Sequence, residues 1–489
     1  MTPNGYPAPP SIDWLMTMPA LLVAGVGIVA LMVEMFWPRR SNSAIIFLSL
    51  IGLAVAGYFT AIQFGMPDGE TFARMIVRDR LGLVLQLLLI GIAFISILFS
   101  EGYLREKRIP FGEFYPLLLW ATSGGMVMIA TKSLLIQFIG LEILSIALYV
   151  MAGMSRNEAK SEESAIKYFL LGAFASSFFL YGIAFVYGAT GGLHLDLIAE
   201  AWKADDPSMR NLLLFGFGLI LIGLSFKSAF VPFHQWTPDV YQGAPTNVTA
   251  FMAAGSKVAA IGALFRVLEA SGVMQEFWMP ALFWIAIFTM TLGNLVACTQ
   301  RDVKRTLGYS SIANAGYLLV ALLAHFKSPD KVGLQATIFY LVAYSLMTLG
   351  AFAVVSLAAK GGKEGTRFHD LAGLYRRAPV AAGLLVVFVA SLIGIPPTAG
   401  FFGKYFIFLD ALQADLAPLA IVLAVNSAIS IYYYLGIVRA AFVAEDSPVR
   451  PAMSGPVTFG NSLATAICAV GVLGISFVTA PVFEFLAGR

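Results

Sequence analysis

The chain has 489 residues, 59% of them hydrophobic and 12% charged, with a mean hydropathy of +0.81. Soluble domains carry about 25% charged residues, so roughly half the usual charge is missing and a water-soluble globular fold is excluded. A net charge of +3 gives no footprint for nucleic acid. The two cysteines, Cys298 and Cys468, stand in separate apolar runs without CxxC or Cys/His spacing, which argues against an iron–sulfur cluster or structural zinc.

The N-terminus, MTPNGYPAPPSIDW, has no basic residue ahead of the first apolar run, so that run is expected to stay as an uncleaved anchor. A hydrocarbon core about 30 Å thick takes about 20 apolar residues. On that measure about fourteen spans are expected, at 14–37, 43–64, 79–100, 112–131, 133–154, 163–189, 211–230, 245–270, 277–298, 303–326, 333–359, 378–395, 416–443 and 457–486. The predicted class is an all-α polytopic membrane protein forming one membrane domain, 1–489. The segment from Thr398 to Leu412 is too short to span alone and reads as the second half of a broken twelfth helix. Pro67–Arg78 fits a small extended hairpin. None of the loops could hold a nucleotide- or flavin-binding unit, which needs about 30 residues or more.

Of the 31 lysines and arginines, four lie within spans, 17 in the odd-numbered loops and 10 on the even side and termini. The positive-inside rule then places both termini away from the cytoplasm or matrix. The seventh span breaks near Pro232 and the twelfth at Gly394–Gly400, five spans apart. An odd offset turns the second copy upside down, as in transporters built from inverted repeats. Spans 4–8 and 9–13 are the expected copies. They divide the chain into N-terminal helices (1–111), a first inverted repeat (112–270), a second (271–443) and a C-terminal helix (444–489).

The most informative stretch runs from Leu212 to Val267. Two apolar segments flank the break VPFHQWTPDVYQGAPT, and each carries one lysine, Lys227 and Lys257. A lysine at mid-membrane depth costs at least about 2.5–3.5 kcal/mol and normally faces a cavity or a partner. Broken backbone inside a bilayer is tolerated only where it is buried in protein or lines a watery cavity. Together these features point to an ion path. Burial disfavours a charged amine, and a nearby carboxylate restores it, so a buried Lys–Glu pair can load and unload a proton. Glu142 is the one carboxylate well inside an apolar span, and Lys227 is its expected partner. The alternative is a static ion pair that fixes packing.

Lys257 has no carboxylate within reach on its own helix. Lys404 follows the second break, in AGFFGKYFIF, and reads either as a second relay or as a snorkelling cation. The GFFGK string lacks the spacing of a phosphate loop. His234 and His325 read as relay groups or as hydrogen-bonded interfacial histidines, and Lys167, near a helix start, as relay or snorkel.

These residues carry a resemblance. VPFHQWTPDVYQGAPT followed by a lysine-bearing helix resembles the core signature of the antiporter-like membrane subunits of respiratory complex I, a family that includes the Mrp cation/proton antiporters. ESAIKYFLLGAFASSFFLYG, QRDVKRTLGYSSIANAGY and GIPPTAGFFGKYFIF extend the match over essentially the whole chain. The resemblance implies fourteen helices with two inverted five-helix repeats. It also implies proton translocation driven by redox chemistry in partner subunits, with a stand-alone Mrp-like cation/proton antiporter as the alternative. It makes Glu142 the helix-5 glutamate, Lys227 its helix-7 partner, Lys257 the central helix-8 lysine and Lys404 the helix-12 lysine. Subunit M carries glutamate at that last place, which argues against M, and the chain stops short of the lateral helix of subunit L. One departure is Asn247, where relatives usually have proline. No cofactor is expected in this chain; flavin, iron–sulfur clusters and quinone belong to partner subunits. The implied neighbours are subunits M and K and the lateral helix of L, in a bacterial inner or mitochondrial inner membrane.

Overall fold

Each expected span is a helix in the computed structural model, which describes residues 12–36, 43–109, 112–203, 206–328, 333–360, 362–443 and 457–487. Among the described residues twelve helices are long and apolar enough to cross a bilayer, and two shorter apolar ones, Phe114–Ile129 and Pro379–Ile393, fill the fourth and twelfth places. Both termini, and the domain boundaries drawn at 111 and 444, lie outside the described residues.

Span 1 is Trp14–Phe36 and span 2 is Ser43–Ala61. The hairpin expected before span 3 is present: β1 (Gly69–Thr71) pairs antiparallel with β2 (Ile76–Arg78). Asp79 then starts span 3 (Arg80–Lys107) by accepting the Gly82 N–H at 2.7 Å, which satisfies one of the four orphan donors of a helix start. Span 4 is followed by span 5 (Leu134–Ala152) and span 6 (Ala159–Thr190). Asp206 caps span 7, whose first half is Pro207–Ser228. Spans 6 and 7 pack through Gly182 and Gly216: a Cβ on either would meet the other's carbonyl oxygen, at 2.6 and 2.9 Å. Without a hydrophobic force between helices in lipid, such small-residue contacts carry the packing.

The two breaks have local causes. Ala229 is left-handed (φ 62°) and closes the first half of span 7, Pro232 follows, and the second half resumes at Trp236–Gly243. Gly394 (φ 94°) closes the first half of span 12, Pro379–Ile393. Pro396 and Pro397 prevent continuation, and the second half is Ala399–Gln413. Span 8 (Thr246–Ala270) carries a π-bulge at Met252–Ser256. Spans 9 (Gln275–Ala297), 10 (Val303–Lys327), 11 (Leu334–Val355), 13 (Ala417–Phe442) and 14 (Phe459–Phe477) complete the bundle.

Spans 8, 10 and 11 form the centre: the most apolar window of span 8 is 100% buried, those of spans 10 and 11 94% and 89%. A second hairpin, β3 (Ala359–Lys360) with β4 (Lys363–Glu364), closes the opposite face from β1–β2. The Glu364 side chain is almost wholly buried between Lys304 (3.3 Å) and Lys107 (3.8 Å), and it accepts the Thr246 hydroxyl at the start of span 8. Burial alone would push this carboxyl up, but Lys304 and Lys107 outweigh it and hold Glu364 below its ordinary value. The hairpin thus ties spans 3 and 10 to the first turn of the central helix.

Candidate functional site

Lys257 is the first residue after the π-bulge, a distortion that frequently marks functional positions. Its ammonium donates to the Ser311 hydroxyl at 2.8 Å and to the Ser311 carbonyl of span 10, and it stands 4.8 Å over the Tyr344 ring of span 11. Lys227 lies in the last turn of the first half of span 7 and donates to the Ser145 hydroxyl (2.8 Å) and the Tyr168 hydroxyl (3.1 Å). Lys404, on the second half of span 12, donates back across the break to the carbonyls of Leu392 (2.8 Å) and Ile393 (3.1 Å), the last turn of the first half. A cation suits that place, because a helix C-terminus carries partial negative charge. Lys404 is buried, so the snorkelling alternative is set aside.

The direct Glu142–Lys227 pair expected from the sequence is absent. Among the described residues no carboxylate lies within ion-pair distance of Lys227, Lys257 or Lys404. The Glu142 carboxylate instead accepts the Ser176 hydroxyl of span 6. The two hydroxyls that hold the lysine and the carboxylate, Ser145 and Ser176, line one cavity of about 10 Å³, roughly the room one water needs. The inventory of buried charges suggested a pair; the hydroxyls interposed between them were the part it missed.

Lys167 does not snorkel freely. It pairs with Glu163 (2.6 Å) and with Asp239 (2.7 Å) on the second half of span 7, and Asp239 also holds Arg305 of span 10 at 2.5 Å. Lys167 is therefore apart from the buried lysines, although its neighbour Tyr168 touches Lys227. His234 sits half-buried in the turn of span 7, and the hydrogen bonds of the buried lysines and of Glu142 described above go to other groups. His325, in the last turn of span 10, is buried against Phe265 (ring centroids 5.3 Å apart). It lines a cavity of about 450 Å³ on the β1–β2 face, beside the paired Arg266 and Asp79 (2.6 Å).

Between Lys257 and Lys404 lies a set of neutral polar groups that the sequence reading did not single out. Asn314 receives the Tyr340 hydroxyl proton and donates to Ser310, which shares a hydrogen bond with Tyr434. The adjacent Tyr433 donates to Asn294 at 3.0 Å. Asn294 in turn donates to Tyr317 at 3.0 Å, and Lys404 stands 5.0 Å over the Tyr317 ring. Ser310, Ser311, Asn314 and Tyr317 recur at helical spacing within QRDVKRTLGYSSIANAGY, a polar stripe that could have flagged them.

Fourteen spans, two opposed broken helices and a buried lysine on or beside each break define an antiporter-like polytopic membrane protein. The family model described as NADH:quinone oxidoreductase/Mrp antiporter, transmembrane, matches residues 131–430. The NADH-quinone oxidoreductase subunit N of Trichlorobacter lovleyi is 41% identical over 429 residues, covering 88% of this chain and 87% of that protein. The one from Chloroflexus aggregans is 39% identical over 482 residues, covering 98% and 97%. A chain of respiratory complex I from Thermus thermophilus, solved with bound aureothin, superposes with a TM-score of 0.81 at 35% identity, over 96% of this chain and all of that one. A chain of the Mrp complex from Dietzia sp. shares the fold, with a TM-score of 0.84 at 20% identity over 97% and 96%. The chain belongs to the NADH-quinone oxidoreductase subunit N family.

Proposed function

We propose that this chain is a proton-translocating membrane subunit of NADH:quinone oxidoreductase, with Glu142, Lys227, Lys257 and Lys404 as its titrating groups. The observation that carries this reading is the pattern of partners: three buried lysines, each held by neutral hydroxyls, rings or carbonyls and none by a carboxylate. A lysine locked in an ion pair has little reason to release its proton; one on neutral partners can exist as ammonium or amine. Protons would pass from the Glu142–Ser176 side through the small cavity to Lys227, on to Lys257, and along the Ser and Tyr hydroxyls of span 10 and its neighbours, oriented by Asn314, toward Lys404. Hydroxyls and phenols both donate and accept, so they can hand a proton on without holding net charge.

Spans 4–8 and 9–13 act in this reading as two inverted units around their broken helices. Lys167, His234 and His325 serve as flanking groups. The driving energy comes from redox chemistry in companion subunits, with membrane subunits M and K and the lateral helix of L as neighbours. The termini face the non-cytoplasmic side, in line with the 17-to-10 distribution of basic residues. The test is purification of the tagged chain from its native membrane in mild detergent. Co-purification of flavin- and iron–sulfur-bearing subunits supports the assignment; a solitary chain or a flavin-free complex would favour a gradient-driven antiporter instead.

A further inference from the structure

The face that carries β3–β4 holds a cavity of about 830 Å³ walled by four cations, Lys160, Arg301, Arg305 and Arg367, and one carboxylate, Asp302. Asp302 is already engaged, accepting the Arg305 backbone N–H at 3.0 Å and the Thr366 hydroxyl. Arg305 is paired with Asp239. Lys160, Arg301 and Arg367 have no carboxylate partner among the described residues. With Arg305 set against Asp239, the wall carries three cations against the single carboxylate of Asp302, and that excess of positive charge draws in an anion.

The position of the cavity narrows the kind of anion. Lys160 is the second residue of span 6, and Arg301 lies in the turn between spans 9 and 10. Both are where helices leave the hydrocarbon, at the depth of lipid headgroups. Below the cavity, span 9 turns an apolar stripe outward: Trp284, Phe288 and Leu295 are each more than half exposed. The same helical face leads one turn further to Thr299 on the cavity wall. A free phosphate would use the cations and ignore the stripe, whereas a ligand with acyl tails and an anionic head uses both.

From this juxtaposition we infer that the cavity binds the headgroup of an anionic phospholipid, with an acyl chain laid along Trp284, Phe288 and Leu295. The planar guanidinium groups of Arg301 and Arg367 suit bidentate contact with phosphate oxygens, and Lys160 adds a point charge. The site is separate from the line of buried lysines. It adjoins that line's surroundings through Arg305, which belongs both to the cavity wall and to the Asp239 pair on span 7.

The experiment uses the complex containing this chain, in mild detergent, with photoactivatable phosphatidylglycerol and a phosphatidylcholine bearing the same tails. Phosphatidylglycerol is expected to label the segment from Trp284 to Thr299, and phosphatidylcholine to label it several-fold less. Removing one cation should weaken retention roughly fivefold, so the paired variant Arg301→Gln/Arg367→Gln should lose labelling roughly 25-fold. Arg301→Lys/Arg367→Lys should keep most of it, which separates lost charge from lost fold. Equal labelling by both lipids, or labelling indifferent to the glutamine pair, would overturn the site. Labelling abolished by inorganic phosphate with no mark on the stripe would reassign the cavity to a free anion. A cross-link that joins Arg301 to a companion subunit in place of lipid would make it a protein interface.

Discussion

Ser145, one turn beyond Glu142 on span 5, accepts the hydrogen bond of Lys227 at 2.8 Å, so a hydroxyl and not the carboxylate faces the lysine. Both groups needed for proton transfer are present, but a serine on each side separates them. In the proposed path that separation makes the hydroxyls part of the relay.

Ser145→Ala should therefore slow coupled turnover roughly tenfold, the rate equivalent of one hydrogen bond to a charged group, without loss of assembly. Lys227→Ala should abolish pumping through this subunit. Measurement is proton uptake in reconstituted vesicles, normalised to assembled complex on native gels. Unchanged uptake with Ser145→Ala would show that the hydroxyl is only a packing contact.

Asn314 joins Tyr340, Ser310 and Tyr434 in the centre of the second half. Asn314→Val leaves those buried hydroxyls short of a partner and should cost about 1–3 kcal/mol per unsatisfied group. Pumping should fall more than the thermal midpoint of the complex suggests, because the stripe between Lys257 and Lys404 is cut. A pumping loss that simply tracks loss of folded complex would assign Asn314 to structure alone.

Much of the architecture was legible in the sequence for physical reasons. Pro232 and the Gly394–Gly400 run with its paired prolines mark the two breaks, and Lys227, Lys257 and Lys404 are too costly in apolar spans to be incidental. What stayed hidden were contacts between distant segments. Asn294, Tyr433 and Tyr434 are unremarkable residues along their own helices, and only packing of spans 9, 10 and 13 brings them to the polar stripe of span 10. Asp239 read as part of a turn motif until span 6 and span 10 supplied Lys167 and Arg305. Glu364 sits in a polar loop that hydropathy reads as solvated, yet the hairpin folds it under Lys304 and Lys107.

The Glu364 cluster has a pH consequence. Its carboxyl is held below its ordinary value of 4.5, so the folded state binds fewer protons there than the unfolded chain. The stabilisation is complete above 4.5 and is lost as pH falls through the folded value. Glu364→Gln should lower the thermal midpoint at neutral pH by removing the charge between two buried lysines, at a cost of about 3–5 kcal/mol. It should also flatten the acid limb of midpoint against pH. An acid limb as steep as that of the unmodified chain would place the acid sensitivity elsewhere.

The distribution of the basic residues predicts the sidedness. Gly361 and Asn4 lie outside the described residues; exposed Lys363 on β4 and Asp68 before β1 serve as labelling positions. Lys363→Cys should react with an impermeant thiol reagent only from the cytoplasmic or matrix side, and Asp68→Cys only from the other. The opposite pattern would invert the topology.

The central claim is that Lys257 alternates between ammonium and amine, and one substitution tests it most directly. Arginine in its place keeps a permanent charge and cannot release a proton near neutral pH. Lys257→Arg and Lys257→Ala should be compared by proton pumping in vesicles at matched levels of assembled complex. A relay requires both variants to fail nearly alike. Near-normal pumping by Lys257→Arg, with Lys257→Ala inactive, would contradict the relay and leave Lys257 as a fixed positive charge against Ser311 and Tyr344.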